Sequence, residues 1–164
     1  MLDNVDLSGS VLEQMSLTDV ECVGCNLSNV NATNARLSRV RIRNSRMTGF
    51  RVPGAVLRDV TFIGCRIDLA SFGSSRLERV TFTDCRLAQS DLMESGLQDV
   101  RLDGCDLTEA DFRGATLRRC EARGCELSAI RGAERLRGLS MPWPEIVANA
   151  GVWAAALGIA ELED

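Results

Sequence analysis

Residues 76–115 read RLERVTFTDCRLAQSDLMESGLQDVRLDGCDLTEADFRGA, with an apolar residue at every fifth position. The same phase runs without exception from Leu2 to Leu127, through 26 positions. At a hydrophobic content of 45%, chance produces such a run with a probability of about 10⁻⁹. A helix repeats every 3.6 residues and a strand every two, so a period of five indicates a stacked repeat.

A second uncharged column lies two residues before each of these central positions. From Val5 to Ile130 it contains only Val, Ala, Cys, Ser, Met, Phe or Ile. Two inward residues in every five predict a narrow interior, with the other three residues pointing outward. Pro53 lies among the outward positions; since it has no backbone donor, we expect it to remove one inter-coil hydrogen bond or to force a small bulge.

A longer period, four times the short one, is superimposed on it. It is clearest in three sets: Val20, Val40, Val60, Val80 and Val100; Leu17, Leu37, Leu57, Leu77, Leu97 and Leu117; and Cys25, Cys65, Cys85, Cys105 and Cys125. Gly24, Gly64, Gly104 and Gly124 share another phase, in which Asn44 and Asp84 also fall; these residue types tolerate positive φ. Four segments of the short repeat therefore complete one turn of a coil, and like residues stack about 4.8 Å apart.

This pattern resembles the pentapeptide-repeat family, whose consensus is roughly Ala-(Asp/Asn)-Leu-x-x. The clearest matches are Ala110-Asp111-Phe112-Arg113-Gly114, Cys105-Asp106-Leu107-Thr108-Glu109 and Ser90-Asp91-Leu92-Met93-Glu94. The resemblance implies an all-β solenoid, namely a right-handed quadrilateral parallel β-helix of about six and a half coils, roughly 31 Å long. We expect residues 1–131 to form this β-helix and residues 132–164 to form a C-terminal helical cap and tail.

The segment from Gly132 to the C-terminus carries both tryptophans of the chain. Trp143, Ile146, Val147 and Ala150 follow helical spacing and predict one apolar face. A second short helix, at about Val152–Leu157, would carry Trp153 and Leu157 and end at Gly158. We expect the two helices to plug the last coil. The apolar side chains left over would serve as contacts in a homodimer, as the resemblance implies for some relatives: Trp143, Ile146, Val147, Trp153 and Leu157.

At the other end, the repeat begins at once and no cap is visible. Its first coil would therefore be frayed, pair with another chain, or continue into a longer natural protein. Met1–Asn4 lacks the features of a signal peptide, and no stretch approaches the ~18 apolar residues of a membrane span. A net charge of −4 is ordinary for a soluble protein. We expect a cytoplasmic protein without membrane contact.

The cysteines are the most conspicuous candidate site, since Cys22-Val23-Gly24-Cys25 spells C-x-x-C. A zinc site needs four converging ligands, whereas these side chains would stand parallel, one coil apart, and the chain has no histidine. We therefore interpret them as small buried packing residues, and we expect no metal and no cofactor. Without histidine the commonest general base is missing, and the outward carboxylates predict no catalytic pair. The sequence favours a protein that is not an enzyme.

The outward positions differ in charge from face to face. The face centred on Leu17 to Leu117 carries seven arginines against four acidic residues, a candidate interaction face: Arg36, Arg39, Arg58, Arg76, Arg79, Arg118 and Arg119. The face centred on Leu7 to Leu127 carries five acidic residues against three arginines. A candidate acidic strip consists of Asp91, Glu94, Asp106, Glu109 and Asp111.

Two functions remain open. The first is a rigid module that docks an unknown protein partner. The second, implied by the resemblance, is a DNA mimic that binds and protects a topoisomerase, DNA gyrase, and is linked to quinolone resistance. A duplex carries one charge per ~1.7 Å, so a rod of roughly 31 Å would need about 18 negative charges. The net charge of −4 weighs against mimicry, and its sign makes direct nucleic-acid binding unfavourable.

Overall fold

The computed structural model describes residues 1–162. It is a parallel β-solenoid of about seven turns with a short C-terminal helical part, which confirms the predicted fold class. The strands are β1 (Leu2–Asp3), β2 (Ser16–Thr18), β3 (Glu21–Val23), β4 (Arg36–Arg43), β5 (Val56–Ile63), β6 (Arg76–Thr83), β7 (Gly96–Gln98), β8 (Arg101–Asp103), β9 (Thr116–Arg118), β10 (Cys120–Arg123) and β11 (Leu139–Ser140). A 3₁₀-helix (Ala133–Arg135) and helices α1 (Trp143–Ala148) and α2 (Ala150–Ala156) complete the chain.

The strands pair in parallel, and the register is offset by one full coil throughout the repeat. Leu37 of β4 lies beside Leu57 of β5, and Leu57 lies beside Leu77 of β6. Elsewhere the coils are joined by single bridges in the same register, such as Arg46 beside Arg66. The long-period columns of the sequence are therefore columns in space.

Each coil has four sides, which we number in chain order by their central residues. The first face contains Leu2 to Ala122, the second Leu7 to Leu127, the third Leu12 to Phe112 and the fourth Leu17 to Leu117, each taking every fourth central residue. Strands occupy the first and fourth faces, and turns linked by single bridges occupy the second and third.

The corners of the coil require left-handed backbone. The residue two positions after each centre has positive φ in all 26 repeats, and in 18 of them it is not glycine. Asn and Asp tolerate this conformation, and several occupy corners. Arginines at three of the corners, Arg39, Arg79 and Arg119, lack that local advantage.

The two inward columns form one continuous core. From the second coil onward the central residues are buried almost throughout, and Phe62 stacks on Phe82 with ring centroids 4.8 Å apart. Buried serine hydroxyls in the column of smaller residues form hydrogen bonds with backbone carbonyls. Ser90 Oγ, for example, donates to the carbonyl of Ile67 at 3.1 Å. Cross-coil pairing thus leaves few buried groups without partners.

Pro53 was expected to remove an inter-coil hydrogen bond or to cause a bulge, and neither occurs. On the third face, which the structure describes throughout, the N–H of the residue after the centre forms no backbone hydrogen bond between coils; Met93 N, for example, donates instead to Asp91 Oδ1 at 2.8 Å. Proline at that position therefore removes no ladder bond. The carbonyl of Pro53 still accepts from Asn34 N at 2.9 Å.

The C-terminal segment covers the last coil, but its first helix ends earlier than the helical spacing indicates. The predicted first helix breaks at Asn149, whose Nδ2 donates to the carbonyl of Glu145 at 2.8 Å. Trp153 packs against the core and donates from Nε1 to the carbonyl of Ile146 at 2.9 Å. Strand β11 pairs with β10, so the sheet continues past residue 131. Within residues 1–162, no helix combines the length and the apolarity that a membrane crossing requires.

Candidate functional site

The corner after the fourth face carries a regular column of alternating charge. Successive coils place Asp19, Arg39, Asp59, Arg79, Asp99 and Arg119 there, which we call the charge ladder. Arg39 binds Asp19 with two hydrogen bonds of 2.6 and 2.8 Å. The corresponding bonds from Arg119 to Asp99 measure 2.7 and 2.8 Å. A fork-shaped guanidinium matches a carboxylate at this spacing, which explains arginine at three strained corners.

The ladder removes three arginines from the predicted interaction face. Arg58 also forms an ion pair, because its guanidinium lies 3.1 Å from the carboxylate of Glu78. Among the described residues, Arg36, Arg76 and Arg118 form no ion pair. The fourth face therefore presents three available cations rather than seven.

The charge ladder makes the stability of the fold depend on pH. Hydrogen bonds from the paired arginine lower the pKa of each ladder aspartate: Asp19, Asp59 and Asp99. A folded-state pKa below that of the unfolded chain, ~3.9, stabilises the fold above that value. The stabilisation is lost as pH falls through the folded pKa.

We expect the triple variant Asp19→Asn, Asp59→Asn, Asp99→Asn to melt below the wild type at pH 6, and the difference to shrink at pH 3. Thermal melting followed by circular dichroism at both pH values measures this. Asp103→Asn, at an exposed carboxylate outside the ladder, is the control and should follow the wild type. A difference in melting temperature between the triple variant and the wild type that is the same at both pH values would contradict the role of the charge ladder.

The predicted acidic strip spans two faces, and most of it is engaged within the chain. On the second face, Asp106 Oδ1 accepts from Thr108 N at 2.9 Å. On the third face, Asp111 accepts from Arg113, whose hydrogen bond lowers the pKa of that carboxyl. The strip therefore holds turns as well as presenting charge, and Arg113 neutralises part of it. Its other members lie nearby: Glu109 on the second face, and Asp91 and Glu94 on the third.

A larger charged feature appears when the residues are placed on the rod. Residues 36–86 contain eleven arginines and four acidic residues, a net charge of +7. Residues 1–35 carry a net −5 and residues 87–164 a net −6. Since this middle segment spans about two and a half coils, or ~12 Å of rod, it forms a basic belt.

The arginines of the basic belt are all exposed and lie on all four faces. Six of them form no ion pair within residues 1–162: Arg36, Arg41, Arg46, Arg51, Arg66 and Arg76. Sequence reasoning that compared faces missed this belt. Counting charge coil by coil would have found it.

The cysteines lie in the wall and core of the solenoid. Cys65 Sγ donates to the carbonyls of Ile42 and Ile63, both at 3.4 Å, and the other members of its column make equivalent bonds. Burial raises the pKa of the Cys22 thiol to about 11. Over residues 1–162, no cluster of three or more His, Cys, Asp or Glu side chains is arranged to hold a metal ion.

The candidate contacts of the C-terminal helices separate into two groups. Trp153 and Ile146 are partly buried, and Trp153 packs against the core of the solenoid. Trp143, Val147 and Leu157 are 73%, 56% and 75% exposed. The exposed three are therefore available to a further molecule.

Comparisons with known proteins agree with this architecture. A family model for a pentapeptide repeat region matches residues 55–131, and a second model, for pentapeptide repeats in eight copies, matches residues 2–31. Together they cover about two thirds of the chain. No curated protein matches it.

Several solved structures are similar to this chain at low sequence identity. QnrB1, a plasmid-mediated fluoroquinolone resistance protein, is 11% identical over 96% of this chain and 99% of its own, with a TM-score of 0.39. Rfr23, a pentapeptide repeat protein of the cyanobacterium Cyanothece, is 13% identical over 84% of this chain and 90% of its own, with a TM-score of 0.44. The repeat, the coil geometry and the two family matches agree: this chain belongs to the pentapeptide-repeat family.

Proposed function

We propose that this chain is a non-catalytic, rigid interaction module that presents its basic belt to an acidic protein partner. The observation that carries the proposal is the concentration of eleven exposed arginines in residues 36–86, between two acidic ends. The stacked coils fix the backbone positions of these arginines. Little backbone conformational entropy is therefore lost when the belt binds a partner. Patterned charge of this kind steers encounter and fixes orientation.

The chemistry of the remaining groups supports a non-catalytic role. Six of the eight carboxylates of the strip and ladder are held by turn N–H groups or by arginines. The seven cysteines are unpaired and six of them are buried. Because free thiols persist in reducing compartments, we also propose the cytoplasm as the site of action.

The belt can be tested without touching the charge ladder. The variant Arg36→Glu, Arg76→Glu reverses two belt arginines that form no ion pair among the described residues. Arg123→Glu, Arg137→Glu makes the same change in charge at two exposed positions outside the belt. Affinity purification from the cells of origin, with quantitative mass spectrometry, compares the two variants. We expect at least about a fivefold loss of captured acidic proteins in the belt variant only, a difference of about 1 kcal/mol. An identical partner set in both variants would contradict the proposal.

Gyrase protection by DNA mimicry is the alternative, and the charge distribution disfavours it. A duplex is uniformly negative, whereas the middle of this rod carries +7. We expect no rescue of supercoiling by gyrase in the presence of ciprofloxacin at micromolar protein. Rescue that is lost when Asp91, Asp106 and Asp111 are replaced by Asn would favour the alternative.

A homodimer through the C-terminal helices is a second proposed interaction. It is supported by the three exposed apolar side chains of that segment, Trp143, Val147 and Leu157. Such contacts would extend the module without occupying the basic belt.

A further inference from the structure

The second face carries a column whose charges are arranged unlike those of the ladder. The residues just before its centres are Asp6, Asn26, Arg46, Arg66, Arg86, Asp106 and Glu126, joined in consecutive parallel bridges. Three arginines therefore lie directly opposite one another, an arrangement that destabilises a sheet. The charge ladder shows that successive coils of this solenoid can carry opposite charges at the same position. Three arginines in succession therefore do not stabilise the fold of the chain itself.

The three arginines are poorly compensated by their own surroundings. Arg46 and Arg66 form no ion pair among the described residues, and Arg86 reaches Asp68 only at 3.7 Å. The next two coils reverse the sign of the column. Asp106 and Glu126 each use one oxygen to hold their own turn, through the N–H groups of Thr108 and Ser128.

We propose that the second face is a self-association surface, on which two copies of this chain pack side by side and antiparallel. A two-fold axis lies in the plane of the face, perpendicular to the rod, between the coils of Arg86 and Asp106. It places Arg86 of one copy against Asp106 of the other, and Arg66 against Glu126. Each contact occurs twice, as an isologous interface requires.

The charge of the whole rod supports the same arrangement. In this register, the belt coils of Arg66 and Arg86 in each copy lie opposite the acidic coils of Glu126 and Asp106 in the other. Counted over all faces, the basic belt carries +7 and the residues that follow it carry −6. Each copy therefore presents both a basic and an acidic region, and these regions are complementary when the two copies pack antiparallel.

An exposed leucine at the edge of the face gives independent support. Leu69 occupies a left-handed corner, with φ of 59°, and is 57% exposed. Neither its backbone conformation nor its packing favours leucine there. The two-fold axis brings Leu69 opposite Ala129 of the second copy, which also lies exposed at a corner.

The outward residues after the centres permit a close approach of the two faces. They are short side chains in every coil of this face: Ser8, Ser28, Thr48, Asp68, Ala88, Thr108 and Ser128. The four opposed coils of this face span ~19 Å and give an interface smaller than the ~800 Å² per partner of stable complexes. The dimer is therefore weak and sensitive to salt.

Analytical ultracentrifugation of the full chain at low salt tests the proposal by charge exchange. We expect Arg66→Glu to raise the dimer dissociation constant at least about tenfold, because two symmetry-related pairs become repulsive. Glu126→Arg should raise the dissociation constant by a similar factor. The double variant Arg66→Glu, Glu126→Arg exchanges the charges across the axis and should return the constant to within about threefold of wild type. Arg123→Glu is the matched control and should leave it nearly unchanged.

Three results would overturn the proposal. They are a wild-type chain that stays monomeric up to about 1 mM at low salt, single reversals that dimerise like wild type, and a double variant no better than the single ones. A dimer that weakens with Trp143→Ser but not with either reversal would assign self-association to the C-terminal helices alone and overturn the role of the second face. Melting curves of each variant establish that the fold is retained, which the exposure of Arg66 and Glu126 leads us to expect.

Discussion

Replacement of Leu77 by aspartate is expected to lower the free energy of unfolding by about 4 kcal/mol or more, since it buries a charge without a partner. Leu77 is completely buried and lies between Leu57 and Leu97 in the coils on either side. In a solenoid each coil is stabilised by its neighbours. The defect therefore weakens two interfaces and should divide the rod at its middle.

Denaturation in guanidinium chloride, followed by circular dichroism, measures this effect. Thr116→Asp adds the same charge to an exposed position of the same fourth face and should change stability by no more than about 0.5 kcal/mol. If Leu77→Asp unfolded at the midpoint of this control, the central column would not form the core.

Replacement of Gly132 by alanine is expected to detach the C-terminal segment at a cost of more than about 2 kcal/mol. Gly132 has a φ of 74°, and a Cβ there would lie 2.5 Å from Arg113 N and 2.7 Å from Phe112 C. Both neighbours are backbone atoms in the preceding coil and cannot move aside as a flexible side chain could.

Tryptophan fluorescence reports on this segment, because both tryptophans lie in it and Trp153 packs against the core. In Gly132→Ala the emission should shift to the red at lower denaturant than the unfolding of the sheet. Gly151→Ala is the control, since its Cβ meets open space and alanine favours helix α2 by up to about 1 kcal/mol. Equal emission midpoints in the two variants would contradict the role assigned to Gly132.

The interior of the solenoid was predictable because it depends on a period that the sequence displays directly. Leu37, Leu57 and Leu77 stack as their regular spacing predicts. The corners were predictable only in part. Glycine, Asn and Asp indicate positive φ, but Arg79 at a corner is explained by Asp59 on the coil before it. Local propensity contains no information on such a partner.

The C-terminal segment and the surface show where the sequence pattern was insufficient. Helical spacing grouped Trp143 and Val147 on one apolar face, but it did not show that both would stay exposed while the break at Asn149 turns Trp153 toward the core. The basic belt escaped a comparison of whole faces, because averaging along a face cancels Arg46 and Arg66 against Asp106 and Glu126. The function proposed for this surface depends on the distribution of charge along the rod, which can be read from the sequence once the rise per coil is known.

The coil returns to the same face at every fourth repeat, so position along the sequence becomes height on the rod. A distance between nitroxide labels at Ser8 and Ser128, attached through keto amino acids so that the native thiols stay unlabelled, tests this directly. Both positions are exposed on the second face and are separated by six coils, which predicts a narrow distribution centred at about 29 Å. A broad distribution near about 60 Å, as for a flexible chain of this length, or a sharp peak far from about 29 Å would contradict the stacked register.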